Sequence, residues 1–178
     1  NTMVKHNLVE SDYNLRRESC ERAAKAIQAK YPQVKTLRDV TSDMLEDCKS
    51  ILDHTDYLRA KHVVGEDERV MKGVELLAAG KVEEFGALWF QSHESSRDCF
   101  ENSCPELDIL VELARTIPGC VGARLSGGGF GGISIHLVRE SEAETYCERL
   151  AAAYKLKTGK TIETIICSVG DGANAETL

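Results

Sequence analysis

The chain is poor in the signals that mark several common functions. No apolar run approaches the ~20 residues that cross a bilayer, which excludes a helical membrane span. The first residues, Asn1-Thr2-Met3-Val4-Lys5-His6, lack the basic, apolar and small-residue regions of a secretory signal. A cytoplasmic location is the expectation. Basic residues are in deficit, 22 against 29 acidic for a net charge of −7, so the chain is no general nucleic-acid binder, and an anionic ligand would have to be held locally. Seven cysteines form an odd set without a C-x-x-C pair, and the five histidines without an H-E-x-x-H pattern, which argues against a disulfide framework, a zinc site or any other metal centre. Free thiols acting mostly as small buried hydrophobes are expected. Repeats, low-complexity tracts and linkers are absent, and the three prolines fall where helices start or stop.

What is present fits one domain over residues 1–178, long enough for a single well-buried core. Hydrophobic residues at 42% and charged residues at 29% are the proportions of a globular protein. After a short extended start, Leu15, Ala23, Ala24, Ile27 and Tyr31 recur at helical spacing up to Pro32. A second helix is predicted from near Ser42, carrying Met44, Leu45, Cys48, Ile51 and Leu52. A third runs from Tyr57 to about Ala79 with Val63, Val70, Val74 and Leu77 as its stripe. Val82, Phe85, Leu88 and Trp89 continue the pattern to about Arg97. Ser103-Cys104-Pro105-Glu106 reads as a capping box opening a helix through Leu107, Leu110, Val111 and Ala114.

Beyond Pro118-Gly119 the period changes from helical to alternating. Val121, Ala123 and Leu125 alternate, then Ile133, Ile135 and Leu137, as in half-buried strands. Ser141 and Glu144 form a second capping box before the amphipathic run from Ala143 to Tyr154, and Ile162 to Val169 reads as a final strand leading to Gly170-Asp171-Gly172-Ala173. Helices followed by β-loop-β-α-β predict an α+β fold with an antiparallel sheet packed against several helices.

Between the first two strands, five of the fourteen glycines fall within Gly127–Gly132. Such a cluster implies left-handed backbone or close backbone approach. Two readings stand: a nest of amides for an anion, or a tight turn pressed on neighbouring backbone. A P-loop is excluded, because the glycines open no helix and no Gly-Lys-Ser/Thr follows. Elsewhere, Arg16-Arg17 reads as a solvated pair on a capped helix start, Ser92-His93-Glu94-Ser95 as a polar helix face, and His54-Thr55-Asp56-Tyr57 as a helix junction.

Three segments together carry a resemblance. One runs from Val4-Lys5-His6 through Tyr13-Asn14, Arg16-Arg17 and Cys20-Glu21. Another holds Ser92-His93, Ser95, Arg97, Glu101, Ser103-Cys104-Pro105-Glu106-Leu107-Asp108 and Leu110-Val111. The last is the loop from Gly122 to Gly132, and a fainter match lies at Arg59–Glu66. Nearly the whole chain, to Ser168–Ala173, thereby resembles the galactokinase family of GHMP small-molecule kinases.

The resemblance implies a ferredoxin-like GHMP carboxy-terminal domain from an enzyme that uses ATP and Mg2+ to phosphorylate galactose at its anomeric hydroxyl, in a cleft shared with an amino-terminal domain. That domain, absent from these residues, would carry the magnesium ligands and the catalytic Asp and Arg, so this half alone is expected to be inactive. Tyr13 would reach the sugar. Ser126, Gly127, Gly128, Gly129, Gly131 and Gly132 would shape the nucleotide loop of the partner domain or touch phosphate. Many relatives carry Thr-Gly-Ala-Gly where this chain has Ser126-Gly127-Gly128-Gly129. The alternatives are half of an N-acetylgalactosamine kinase, a sugar sensor without transfer activity and a structural fragment.

Overall fold

A computed structural model describes residues 1–3, 9–170 and 172, with side chains from residue 12 onward in the first helix. The segment around Lys5-His6, and Asp171 and Ala173, therefore lie outside the described residues. Helix α1 spans Val9–Gln28, α2 Ser42–Asp47, α3 His54–Ala78, α4 Val82–Ser95, α5 Pro105–Ala114 and α6 Ala143–Thr158. Strands β1, Cys120–Leu125, and β2, Ser134–Val138, pair antiparallel, with Leu125 opposite Ser134 on either side of the glycine loop. The α+β class holds.

Two larger apolar cores divide the work, beside a small cluster of Cys104, Leu107 and Leu125. Ala23 and Ile27 of α1 meet Leu45, Cys48, Tyr57, Ala60 and Val64 to join the first three helices. Leu110, Val111, Ala123, Tyr146, Leu150 and Tyr154 join α5 and α6 to β1. Between them, α4 lies directly on β1. A Cβ built on Gly86 would sit 2.6 Å from the Val121 carbonyl carbon, and one on Gly122 would sit 2.7 Å from the Gly86 Cα. Glycine at both positions is what permits this approach.

The helix junction at His54–Tyr57 is the start of α3. Asp53 caps it through Thr55, Asp56 is buried and takes two hydrogen bonds from Arg22 at 2.7 and 2.9 Å, and the Tyr57 hydroxyl donates to Glu46. Arg22 holds the Asp56 carboxyl below its usual range.

Several sequence expectations are corrected. In α3 the buried face is Tyr57, Ala60, Val64, Gly73 and Leu76, whereas Val70, Val74 and Leu77 are exposed and Val63 is half-buried. Two apolar stripes interleave on this long helix, and the one that packs is decided by α1 and by Phe85 of α4, which meets Gly73. Leu15 and Ile51 are also exposed; the second predicted helix breaks at Cys48 into a 3₁₀ turn over Lys49–Ile51. Neither capping box forms: α5 begins after Cys104 with Pro105 in its first turn, and α6 follows a 3₁₀ turn over Glu140–Glu142 without a side-chain cap. All seven cysteines are free thiols, but Cys48 and Cys104 alone are fully buried, four are half-buried and Cys167 is exposed.

In β2 the apolar alternation marks the outer face. Ile133, just before the strand, and Ile135 are exposed and Leu137 is half-buried, whereas His136 is turned inward, its Nδ1 2.6 Å from the Tyr146 hydroxyl and its Nε2 2.8 Å from Ser134 Oγ. Alternation defines two faces and leaves open which is buried; a neutral, fully bonded imidazole settles it. The segment Ile162–Val169 joins no strand ladder. Its backbone pairing among the described residues is with Asn1, which exchanges both bonds with Glu163, and Ile165, Ile166 and Val169 are exposed. Strand character requires a neighbouring row of backbone groups, which a local pattern cannot supply.

Gly86→Ala forces α4 off β1 and is expected to cost at least about 2 kcal/mol, lowering Tm by roughly 4–8 °C in a calorimetric scan. Burial drives His136 from 6.5 down to about 4. Unfolding therefore takes up a proton between those values, so this contribution to stability is full above about pH 6.5 and is lost as pH falls toward 4. The urea midpoint of His136→Gln should fall less between pH 7 and pH 5 than that of the wild-type chain.

Candidate functional site

The site grows from the way α4 ends. After Ser95 the helix widens into a π-helical turn, Ser96–Phe100, and stops at Glu101, a non-glycine residue in the left-handed region at φ 52°. The last carbonyls of a helix have no intrahelical donor, and here arginines supply the donors. Arg59 of α3 donates to the Cys99 carbonyl and to the Glu101 carboxylate. Arg16 of α1 donates from Nε to the Phe100 carbonyl at 3.2 Å and from Nη2 to the Glu101 carbonyl at 2.7 Å. Cations at a helix C-terminus also oppose its dipole.

Asn102, the next residue, holds the glycine loop. Its backbone carbonyl accepts from the Phe130 N–H at 2.7 Å, and its side-chain Nδ2 donates to the Gly128 carbonyl at 3.2 Å. Its Oδ1 is buried without a partner. A Cβ on Gly129 would overlap the Asn102 carbonyl, with the carbonyl carbon 2.9 Å away, and Gly129 is itself left-handed at φ 81°. Close backbone approach thus accounts for Gly129. At the crest of the loop the situation differs: Gly127 and Gly128 are exposed and a side chain there would meet open space. Gly131 is buried, Gly132 is exposed and accepts the Thr2 backbone N–H, and the Ser126 N–H closes the loop on Ile133.

A cavity of about 220 Å³ opens beside this crest, with Tyr13, Arg16, Asn102, Arg124, Gly127 and Gly128 in its lining. The structure therefore brings Tyr13 to the same recess as two of the six loop residues named from sequence. Ser126, Gly129, Gly131 and Gly132 are not in that lining. Tyr13 is 60% exposed. Arg124 faces Glu66 at 3.5 Å, and His62, its ring 4.6 Å from Phe100, is held neutral at a pKa of about 4 by burial, with Nδ1 2.9 Å from Ser95 Oγ. Among the described residues no group of three or more His, Cys, Asp or Glu could hold a metal ion, so the residues here do not fit a Mg2+ site.

Sequence reasoning misplaced two residues and missed one. Arg16 is no solvated partner of Arg17: its side chain is 14% exposed and Arg17's is 70%. His93 is not on a polar face but is buried to 1% exposure. Its Nδ1 accepts the Leu125 N–H at 3.2 Å, which leaves Nε2–H to donate to Asp108 at 3.0 Å, and Asp108 also accepts from Ser103 at 2.5 Å. The imidazole pins the last residue of β1, where the loop departs, to α4 and α5; the spacing of His93 within the apolar run of α4 was the available signal. Asn102 carried none, because its role depends on a loop 26 residues away.

Comparison with known proteins fits this geometry. The family model described as GHMP kinases C terminal matches residues 74–156. Residues 74–156 are thus similar to the carboxy-terminal part of GHMP kinases. It is 41% identical to the galactokinase of Roseiflexus sp. (strain RS-1) over 95% of this chain and 43% of that protein, and 38% identical to the Homo sapiens galactokinase over 97% of this chain and 42% of that protein. The crystal structure of Lactococcus lactis galactokinase complexed with galactose superposes with a TM-score of 0.85 at 31% identity, covering 90% of this chain and 42% of that one. The chain thus spans less than half the length of these relatives, as their carboxy-terminal part.

Gly129→Ala combines the left-handed penalty with the Asn102 overlap and is expected to cost about 2–4 kcal/mol. Gly128→Ala, in open space, should stay within about 0.5 kcal/mol. Urea denaturation of the two variants checks the contrast.

Proposed function

We propose that residues 1–178 form the carboxy-terminal domain of a galactokinase and build one wall of a site in which ATP, with Mg2+, phosphorylates galactose to galactose 1-phosphate. The observation that carries this reading is the convergence of Tyr13 and the crest of the glycine loop on one recess, in a chain whose relatives over nearly its full length are galactokinases. Tyr13 offers the sugar a ring face and a hydroxyl. The crest at Gly127 and Gly128, with Ser126 and Gly132 at its base, Gly129 pressed on Asn102 and Gly131 buried, supports the nucleotide-binding loop of the opposite wall or meets phosphate itself.

Phosphoryl transfer rests on positioning and charge stabilisation around in-line oxygens. In this reading the amino-terminal part of the enzyme contributes the metal ligands and the catalytic groups, and this domain contributes orientation, so the partners are that domain, galactose and ATP. Such an enzyme works in the cytoplasm, where ATP is supplied. The 178-residue chain alone makes no product.

Two assays test the reading. The chain incubated with ATP, Mg2+ and galactose should yield no detectable galactose 1-phosphate. In the two-domain protein, Tyr13→Phe should raise the galactose KM several-fold while kcat changes little. Turnover by the isolated chain, or an unchanged KM, would remove the shared-site reading or Tyr13 from it.

A further inference from the structure

We infer that Arg16 is a positioning residue that registers the Tyr13 end of α1 against the glycine loop, so that the sugar-facing and phosphate-facing parts of the recess hold one geometry. The inference rests on the galactokinase reading above and adds to it a residue that lines the recess while its guanidinium donors are taken up by the protein itself.

Tyr13 and Arg16 are three residues apart on α1 and share a face. The Arg16 guanidinium reaches three different structures from there. Nη1 donates back to the Asp12 carbonyl and carboxylate at 3.2 and 3.4 Å, which fixes the side chain to the helix that carries Tyr13. Nε and Nη2 take the carbonyls of Phe100 and Glu101. The guanidinium Cζ lies over the Phe130 ring, 4.9 Å from the centroid. Phe130 is the non-glycine residue inside the glycine loop, it sits in the left-handed region at φ 58°, and its N–H is bonded to Asn102, the residue that follows the carbonyls Arg16 holds.

One side chain therefore ties α1, the end of α4 and the loop at a single place. A planar fork is required for this. Lysine would bring the same charge but neither two parallel donors nor a face to stack on an aromatic ring. An aromatic residue in a conformation that side chains seldom adopt is held by what lies on its ring, so loss of the stack should release the loop from Asn102. Arg17, one position on, pairs with Glu21 on the surface and provides a matched control.

The experiment compares Arg16→Lys with Arg17→Lys. In the 178-residue chain, hydrogen exchange of the Phe130 amide should accelerate at least tenfold in Arg16→Lys and stay within twofold of wild type in Arg17→Lys, with amides of α5 unchanged in both. In the two-domain protein, Arg16→Lys should lower kcat about tenfold while the galactose KM changes less than threefold, the opposite split from Tyr13→Phe. Should Arg16→Lys fail to fold, Phe130→Leu removes the stack from the other side and should speed exchange at position 130 to a similar degree. A residue-130 amide exchanging within twofold of wild type in Arg16→Lys, or in Phe130→Leu where that variant stands in, overturns the registration, and an unchanged kcat overturns its role in the reaction. A wild-type two-domain protein that does not phosphorylate galactose would refute the functional reading while the exchange result still decides the mechanical one.

Discussion

Gly86 and Gly122 face each other with no room for a Cβ on either, and the position of the candidate site follows from that contact. With the axis of α4 laid on β1, the C-terminal end of the helix comes out beside the point where β1 gives way to the glycine loop. His93, two turns along from Gly86, then reaches the Leu125 amide, and Asn102 reaches Phe130 and Gly128. A methyl group at the helix–strand contact would displace all of these by a similar amount, because they hang on the same helix.

The polar groups of the site divide into those that hold backbone and those that face the recess. His93, Asp108 and Ser103 resemble a catalytic triad in composition, yet the ring nitrogens are consumed by a backbone amide and a carboxylate in a buried position. Such an arrangement orients a strand end and leaves no base for a reacting proton. Arg59 likewise spends its donors on the π-helical turn. What remains toward the recess is an exposed tyrosine, the loop crest and Arg124, which is partly neutralised by Glu66. That inventory suits orientation of ligands rather than bond-making, as the proposed shared cleft requires.

How much of this was legible in the sequence depended on the range of the interaction concerned. Helices with one dominant stripe, such as α5 with Leu107, Leu110, Val111 and Ala114, read correctly because the pattern and the burial are the same fact. In α3 the pattern was real but doubled, and tertiary packing chose the other face. The glycine loop was legible as special, while the reason differed along its length: backbone approach at Gly129, an open crest at Gly127 and Gly128. Tyr13 was singled out only through resemblance. Asn102 and the true environment of Arg16 were invisible because their partners are set by where α4 ends, which in turn depends on a π-helical turn that no residue type announces.

The sheet has a further consequence for handling the chain. β1 is the neighbour of β2 on one side. On the other side, among the described residues, Thr2 meets Gly132 at one end, and the exposed side chains of Ile133 and Ile135 lie along this strand. Apolar side chains exposed on the face of a two-stranded sheet are surface that another chain can cover. A charged replacement at Ile135 would remove part of that apolar surface without entering the recess.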